Sequence, residues 1–260
     1  MGLLRSIAAC LLVLAIPVAL ITTNIRFAAS EPRVYDYSVR EYEAAGISGI
    51  PEPELQRANR DLVRYFKSDV ELPLSITVKN SGGRDVSLFN ARETAHLADV
   101  RDLFRQLFTV QQIAVAAVLG LAVLLMVSAS VRALAGALLY GSLLTVGLIG
   151  LTGGLAALSF DDVWTRFHLF AFTNDFWQLN PATDRLIQMF PEQFWVDITI
   201  LIGAFTALEA LILASISGVY LYSARTGPGL EREGLREPRL LPPPVPSPRV
   251  PPPRPRHLAH

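Results

Sequence analysis

The chain has 260 residues, 51% of them hydrophobic, and its 23 Lys and Arg balance 23 Asp and Glu. That is too apolar for an ordinary soluble domain and points to a membrane protein, while zero net charge gives no case for a nucleic-acid partner. A single cysteine, Cys10, excludes a disulfide framework and a cysteine metal site.

In chain order, the first apolar span is residues 7–23, behind Arg5. Ile7-Ala8-Ala9-Cys10 looks like a lipoprotein cleavage box, but it precedes the apolar run instead of following it. Ala28-Ala29-Ser30 would also suit signal cleavage. The reading adopted is an uncleaved anchor, in which Pro17 is tolerated as in other membrane helices.

Residues 24–106 are long enough to fold as a small α+β domain. VYDYSVR at 34–40 alternates like a strand, and PEPELQRANRDLVRYF at 51–66 reads as an amphipathic helix with proline near its start. Residues 72–79 and 86–89 are expected as strands joined by the turn Ser81-Gly82-Gly83. Asn90 then caps a new helix, with Glu93 completing a capping box, and that helix runs on toward the second span.

Spans two and three, residues 107–131 and 134–158, form a hairpin around Arg132. Ala133, Ala137, Gly141 and Thr145 recur every four residues, the small-residue spacing that lets membrane helices pack closely. The fourth span is 198–222. Each span is near the roughly 20 residues that cross the hydrocarbon as a helix. Residues 227–260 form a Pro- and Arg-rich tail, expected to be disordered. The fold class expected is a mainly α membrane protein: four transmembrane helices with a small α+β extracytoplasmic domain between helices one and two.

Arginine placement sets the expected orientation. The segment after the fourth span, together with Arg5 and Arg132, carries nine basic against three acidic residues, while the loop 159–197 carries two Arg against six carboxylates. This puts both termini in the cytoplasm and both long loops outside.

The loop 159–197 is the most unusual stretch. Residues 160–196 contain all three tryptophans and seven of the thirteen phenylalanines, around His168. Such density belongs at the lipid–water boundary, where a histidine can be either an interfacial anchor or an acid–base group. Arg166, Asn174 and Gln178 could donate to a developing oxyanion, or could bind lipid headgroups. His96 lies in the other outer loop, three residues from both Glu93 and Asp99, so a carboxylate on the same helical face could hold its tautomer; a surface histidine fits the same spacing. His257 and His260 fall in the tail. Outside it no two histidines are close in sequence, no Gly-x-Ser-x-Gly occurs, and neither a metal nor a cofactor is expected. Glu209, near the middle of the fourth span, calls for a hydrogen-bond partner inside the bundle.

ETAHLADVRDLF at 93–104 and the segment 160–195, centred on FHLFAFTNDFWQLNPATDRLI, together resemble the four-span bacterial membrane family of the lipoprotein intramolecular transacylases. The resemblance spans the chain up to the tail. It implies a bacterial plasma-membrane enzyme that moves the sn-2 acyl chain of a diacylglyceryl lipoprotein to the α-amino group of its N-terminal cysteine. It also implies that two outer histidines, here His96 and His168, are the essential groups. The partners it implies are a diacylated lipoprotein and membrane phospholipid. Ester aminolysis needs no enzyme nucleophile, only a proton acceptor for the amine and a donor for the leaving oxygen. His168 is expected as principal base and His96 as its partner, with the reverse order and an acyl-imidazole route also open. Glu93, Asp99, Arg166 and Asn174 are the supporting candidates. A non-enzymatic envelope protein and a metal-dependent lipid hydrolase are the competing classes.

Geometry limits the pairing. In a straight helix His96 would stand about 16 Å above Leu107. His168 is ten residues past Leu158. The two meet only if the His96 helix tilts or bends, or if the His168 loop rises.

Overall fold

The computed structural model describes residues 2–68 and 73–226. The tail 227–260, with His257 and His260, and the start of the strand expected from residue 72 lie outside the described residues.

Four long helices dominate. α1 is Gly2–Ser30, longer than the expected span and continuous through Pro17. After it come α2 (Pro32–Glu41), α3 (Ala44–Ser48) and α4 (Glu52–Lys67), then the strands β1 (Thr77–Lys79) and β2 (Asp85–Ser87). α5 (Ala91–Ser128), α6 (Val131–Leu158), α7 (Phe160–Ala171), α8 (Arg185–Met189) and α9 (Glu192–Thr226) complete the order. α1, α5, α6 and α9 are each long and apolar enough to cross a membrane. Leu119, Val123, Met126, Leu151, Ile200 and Ile216 are more than half exposed, as side chains facing lipid would be. This is a multi-pass membrane protein.

The segment 34–40 is not a strand. It is the body of α2, whose Glu31 carboxylate accepts the Arg33 N–H at 3.2 Å, with Pro32 in the first turn. Seven residues of V-Y-D-Y-S-V-R satisfy both periods, and the cap with a proline at the helix start decides for the helix. Tyr35, Ser38 and Val39 then share one buried face. The hairpin is also shorter than expected, three antiparallel residue pairs from Thr77↔Ser87 to Lys79↔Asp85. The expected helix at 51–66 is α4, which buries Leu55, Ala58, Leu62, Val63 and Phe66 along one stripe.

The bundle is packed at two ends. At one, Ala8, Leu12 and Ile16 of α1 meet Leu125 of α5 and Ala137 of α6. Gly141 makes this possible, because a Cβ there would lie 3.0 Å from the Ile16 Cβ. The Arg132 guanidinium closes that end by donating to the Ala224 carbonyl at 2.6 Å. Midway, Asn24 of α1 donates to the Glu209 carboxylate of α9 at 2.8 Å and to Thr206 at 3.2 Å. Glu209 thus has the intrabundle partner expected of it, and it takes no part in the cavity described below.

At the other end α2, α3, α4, the hairpin and α8 gather over the ends of α1, α5 and α9. Leu55, Leu62, Phe66, Val78, Leu88, Met189 and Phe194 form its interior. Phe66 meets Phe104 edge-on at 5.1 Å, and Tyr35 meets Phe190 at 5.7 Å. Each large side chain buried here contributes about 1.5–3 kcal/mol of transfer free energy, and each aromatic pair about 0.5–1.5 kcal/mol more. Asp197 in the first turns of α9 receives hydroxyl hydrogen bonds from Tyr37, at 2.8 Å, and from Tyr42, tying the head to the bundle.

Candidate active site

Two elements bring the histidines together. α5 begins at a capping box: the Asn90 side chain accepts the Glu93 N–H at 3.0 Å and the Glu93 carboxylate accepts the Asn90 N–H at 2.7 Å. His96 follows in the second turn. Residues 91–106 of α5 carry six charged side chains. That stretch therefore stands outside the apolar part of the helix. α7 begins at Ser159, whose hydroxyl accepts the Asp162 N–H at 3.4 Å, and carries His168 in its last turn. α5 is unbroken from Ala91 to Ser128, so the meeting needs no break in that helix.

The imidazole centroids are 6.0 Å apart, with planes at 36°. Both residues are buried, His96 at 7% and His168 at 6% exposure. Aromatic rings enclose them: Phe172 is 5.1 Å from His96, and Trp164 and Trp177 are 4.6 and 4.9 Å from His168. Phe170, by contrast, is 92% exposed, and Leu169 is also exposed. The segment thus divides its labour: these outward residues can anchor in lipid while His168 turns inward.

His168 Nδ1 lies 2.8 Å from the Trp164 carbonyl oxygen. A carbonyl can only accept, so Nδ1 carries the proton and the Nε2 lone pair is free. His96 Nδ1 is buried with no hydrogen-bond partner. Burial, with His168 adding to it and Asp99 partly opposing, lowers the His96 pKa to about 4. Burial also lowers that of His168, against the hydrogen bond to Trp164. Both imidazoles are neutral at pH 7.

A cavity of about 390 Å³ opens onto both rings. Its walls come from α2, α4, α5, α7, α8, α9 and the segments flanking α8, and include Phe104, Phe167, Trp177, Leu179 and Phe190. This is a mostly apolar space beside two neutral imidazoles.

The other candidates have different places. Glu93, 1% exposed, does not hold His96: its second oxygen accepts the Leu186 N–H at 2.6 Å, pinning α8 to the start of α5. Burial raises its pKa against these backbone bonds. Asp99 accepts from Asn174 Nδ2 at 2.9 Å, and the Asn174 carbonyl accepts the Trp177 indole N–H at 3.1 Å. Asp99 and Asn174 therefore act on the ring that covers His168. Arg166 is exposed and does not line the cavity, whereas Gln178 does. Sequence reasoning missed Trp164, Phe172 and Trp177 as individual walls of the site, and it missed Asp184, which accepts from Asn90 Nδ2 at 3.0 Å. Only the aromatic density pointed toward the first three. Among the described residues no three His, Cys, Asp or Glu side chains converge as a metal site.

Comparison with curated proteins gives no match. Among solved structures, the fold is similar to the membrane integral lipoprotein intramolecular transacylase Lit from Bacillus cereus. One structure has 17% identity and a TM-score of 0.74, covering 86% of this chain and 99% of that one. A histidine-to-arginine variant of the same protein has 16% identity and a TM-score of 0.69 over 87% of this chain and 96% of that one. A histidine-to-alanine variant has 16% identity and a TM-score of 0.71, over 87% and 97%. At these identities the likeness establishes the fold. The family model for lipoprotein intramolecular transacylase Lit matches residues 10–195. That is most of the chain, and it includes both histidine motifs: the chain belongs to the lipoprotein intramolecular transacylase family.

Proposed function

We propose that this protein is a lipoprotein intramolecular transacylase that moves the sn-2 acyl chain of a diacylglyceryl lipoprotein to the α-amino group of its N-terminal cysteine. The observation that carries the reading is the pair of buried, neutral imidazoles 6.0 Å apart on one apolar cavity, one of them with its tautomer fixed. The neutral amine attacks the ester carbonyl and a C–N bond forms. His168 Nε2 takes the proton that the nitrogen sheds. The tetrahedral adduct then collapses, the C–O bond to glycerol breaks, and the leaving oxygen is protonated, so no net proton is consumed. His96 is the partner that donates a hydrogen bond to that oxygen.

Burial shapes the energetics. An imidazolium is disfavoured among Trp and Phe, so the proton accepted by His168 is readily passed on to the glycerol oxygen. Amine and ester belong to one molecule, and holding them together supplies an effective molarity worth roughly 7–11 kcal/mol in favourable cases. The apolar walls keep water from hydrolysing the ester. In this reading residues 24–106 and 159–197 face the extracytoplasmic side, phospholipid surrounds the site, both termini are cytoplasmic, and no cofactor takes part. The Arg-poor 159–197 loop supports that orientation.

The test is co-expression with a lipoprotein in a host lacking the activity, followed by mass spectrometry of the lipoprotein N-terminus. The wild-type chain gives the N-acyl, S-monoacylglyceryl product. His168→Ala and His96→Ala each lower its formation by about 10²–10⁴-fold. Full activity in either variant rejects the dyad.

A further inference from the structure

The cavity has a sign. Among its described lining residues only Asp161 and Glu192 carry a formal charge at neutral pH, and no Lys or Arg contributes. Asp161 stands three residues before Trp164 and Glu192 three before Trp195, and those indoles meet at 5.0 Å between centroids. Each carboxylate is thus one helical turn from one member of this tilted pair, and both are exposed residues on the lining of the cavity. Among the described residues neither forms an ion pair. An acid in a helix's first turn complements the macrodipole, which accounts for its place in the sequence but not for two of them lining this cavity. His96 is a second, independent sign that a ligand belongs there, being 93% buried on the same cavity with an unpartnered Nδ1.

We propose that Asp161 and Glu192 are specificity-determining residues that admit a lipidated N-terminus bearing a free α-ammonium group and disfavour lipids bearing phosphate. The proposal rests on the transacylation reading and names what selects its substrate. Asp161 lies two turns before His168 on the same face of α7, roughly 10 Å along the axis. An arriving ammonium meets the carboxylates first and the imidazoles afterwards. A phosphate headgroup meets like charge at the same two residues. Acylation turns the cationic amine into a neutral amide, so the product loses the attraction that held the substrate.

The test uses the full chain in neutral detergent. Its probe is a short peptide whose N-terminal cysteine carries an S-linked dialkyl-ether glyceryl group, which has no ester to transfer. Free-amine and N-acetylated forms are compared. The wild-type protein is expected to favour the free amine by about tenfold at low salt, and less as salt rises. Asp161→Asn/Glu192→Gln is expected to bring the two forms within about twofold. Equal binding by the wild type, a preference insensitive to salt, or a preference that survives in the double variant overturns the proposal. The salt series decides the matter if the double variant does not fold. Turnover of the matching diester is measured separately, so loss of transacylation and loss of amine selection are read apart.

Discussion

The two ends of the bundle are packed on different terms. Where α1 begins, Ala8, Leu12, Ile16, Leu125 and Ala137 form an apolar core in which small side chains set the helix spacing. Where α5 begins, Glu93, His96, Arg101, His168 and Asp184 are buried among aromatic rings. Buried polar groups are costly unless satisfied. At this end most are satisfied: Glu93 accepts two backbone N–H groups, and Asp184 accepts from Asn90 and from the Asn180 N–H. His96 Nδ1 is not. Asn59 Oδ1 in α4 and Ser142 Oγ in α6 also lack partners, so it is the place of His96 Nδ1 on the cavity, beside His168, that sets it apart.

Four perturbations sharpen or break that contrast. The largest effect is expected from Glu93→Ala, which strips two buried N–H donors of their acceptor at about 1–3 kcal/mol each. Thermal unfolding should show the head destabilised and transacylation lost. A variant as stable as the wild type would mean that the head does not depend on this bridge. Next comes Gly141→Leu at the apolar end, where overpacking against Ile16 costs about 1–3 kcal/mol. Its melting temperature should fall while kcat of the folded enzyme is unchanged; a fall in kcat with stability intact would erase the division between the ends.

The third concerns pH. His96 is held near 4 when folded and returns to 6.5 when unfolded. As pH falls from about 6.5 toward 4, the unfolded chain binds a proton that the folded chain refuses. Stability is therefore complete above that window and is lost on the acid side, on the order of 1 kcal/mol per pH unit. Melting curves of His96→Phe should lose the His96 share of that acid loss and keep the share from His168, whose pKa burial also lowers. The smallest effect is expected from Asn174→Ala. The variant loses the Nδ2 hydrogen bond to Asp99 but keeps the backbone carbonyl that accepts the Trp177 indole N–H. Loosening that tether should slow the reaction by roughly three- to tenfold, on the scale of one neutral hydrogen bond, and move the histidine limb of the pH–rate profile while the melting point barely changes.

The four spans, the Asn90–Glu93 cap, the amphipathic helix at 51–66 and the small-residue line through Gly141 were legible because each depends on local period or spacing. The α2 segment was misread because seven residues fit both periods and only Glu31 and Pro32 break the tie. The two histidines carried a family motif, but their joint burial did not follow from residue order, since it depends on how α7 packs beside an unbroken α5. Glu93 shows the limit most clearly. Its i, i+3 relation to His96 is real, yet the carboxylate turns the other way, to an amide 93 residues downstream. Long-range backbone acceptors leave no mark in local spacing.

The loop between α7 and α8, with the first turn of α8, is bound to the opening turns of α5 at four points: Asn174 to Asp99, Asp175 to Arg92, Asp184 to Asn90, and the Leu186 amide to Glu93. Such a loop has no inexpensive open form, because lifting it would expose buried acceptors at several points together. Its amide protons are therefore expected to exchange more slowly than those of a surface loop with no such ties, a difference that hydrogen exchange would read directly.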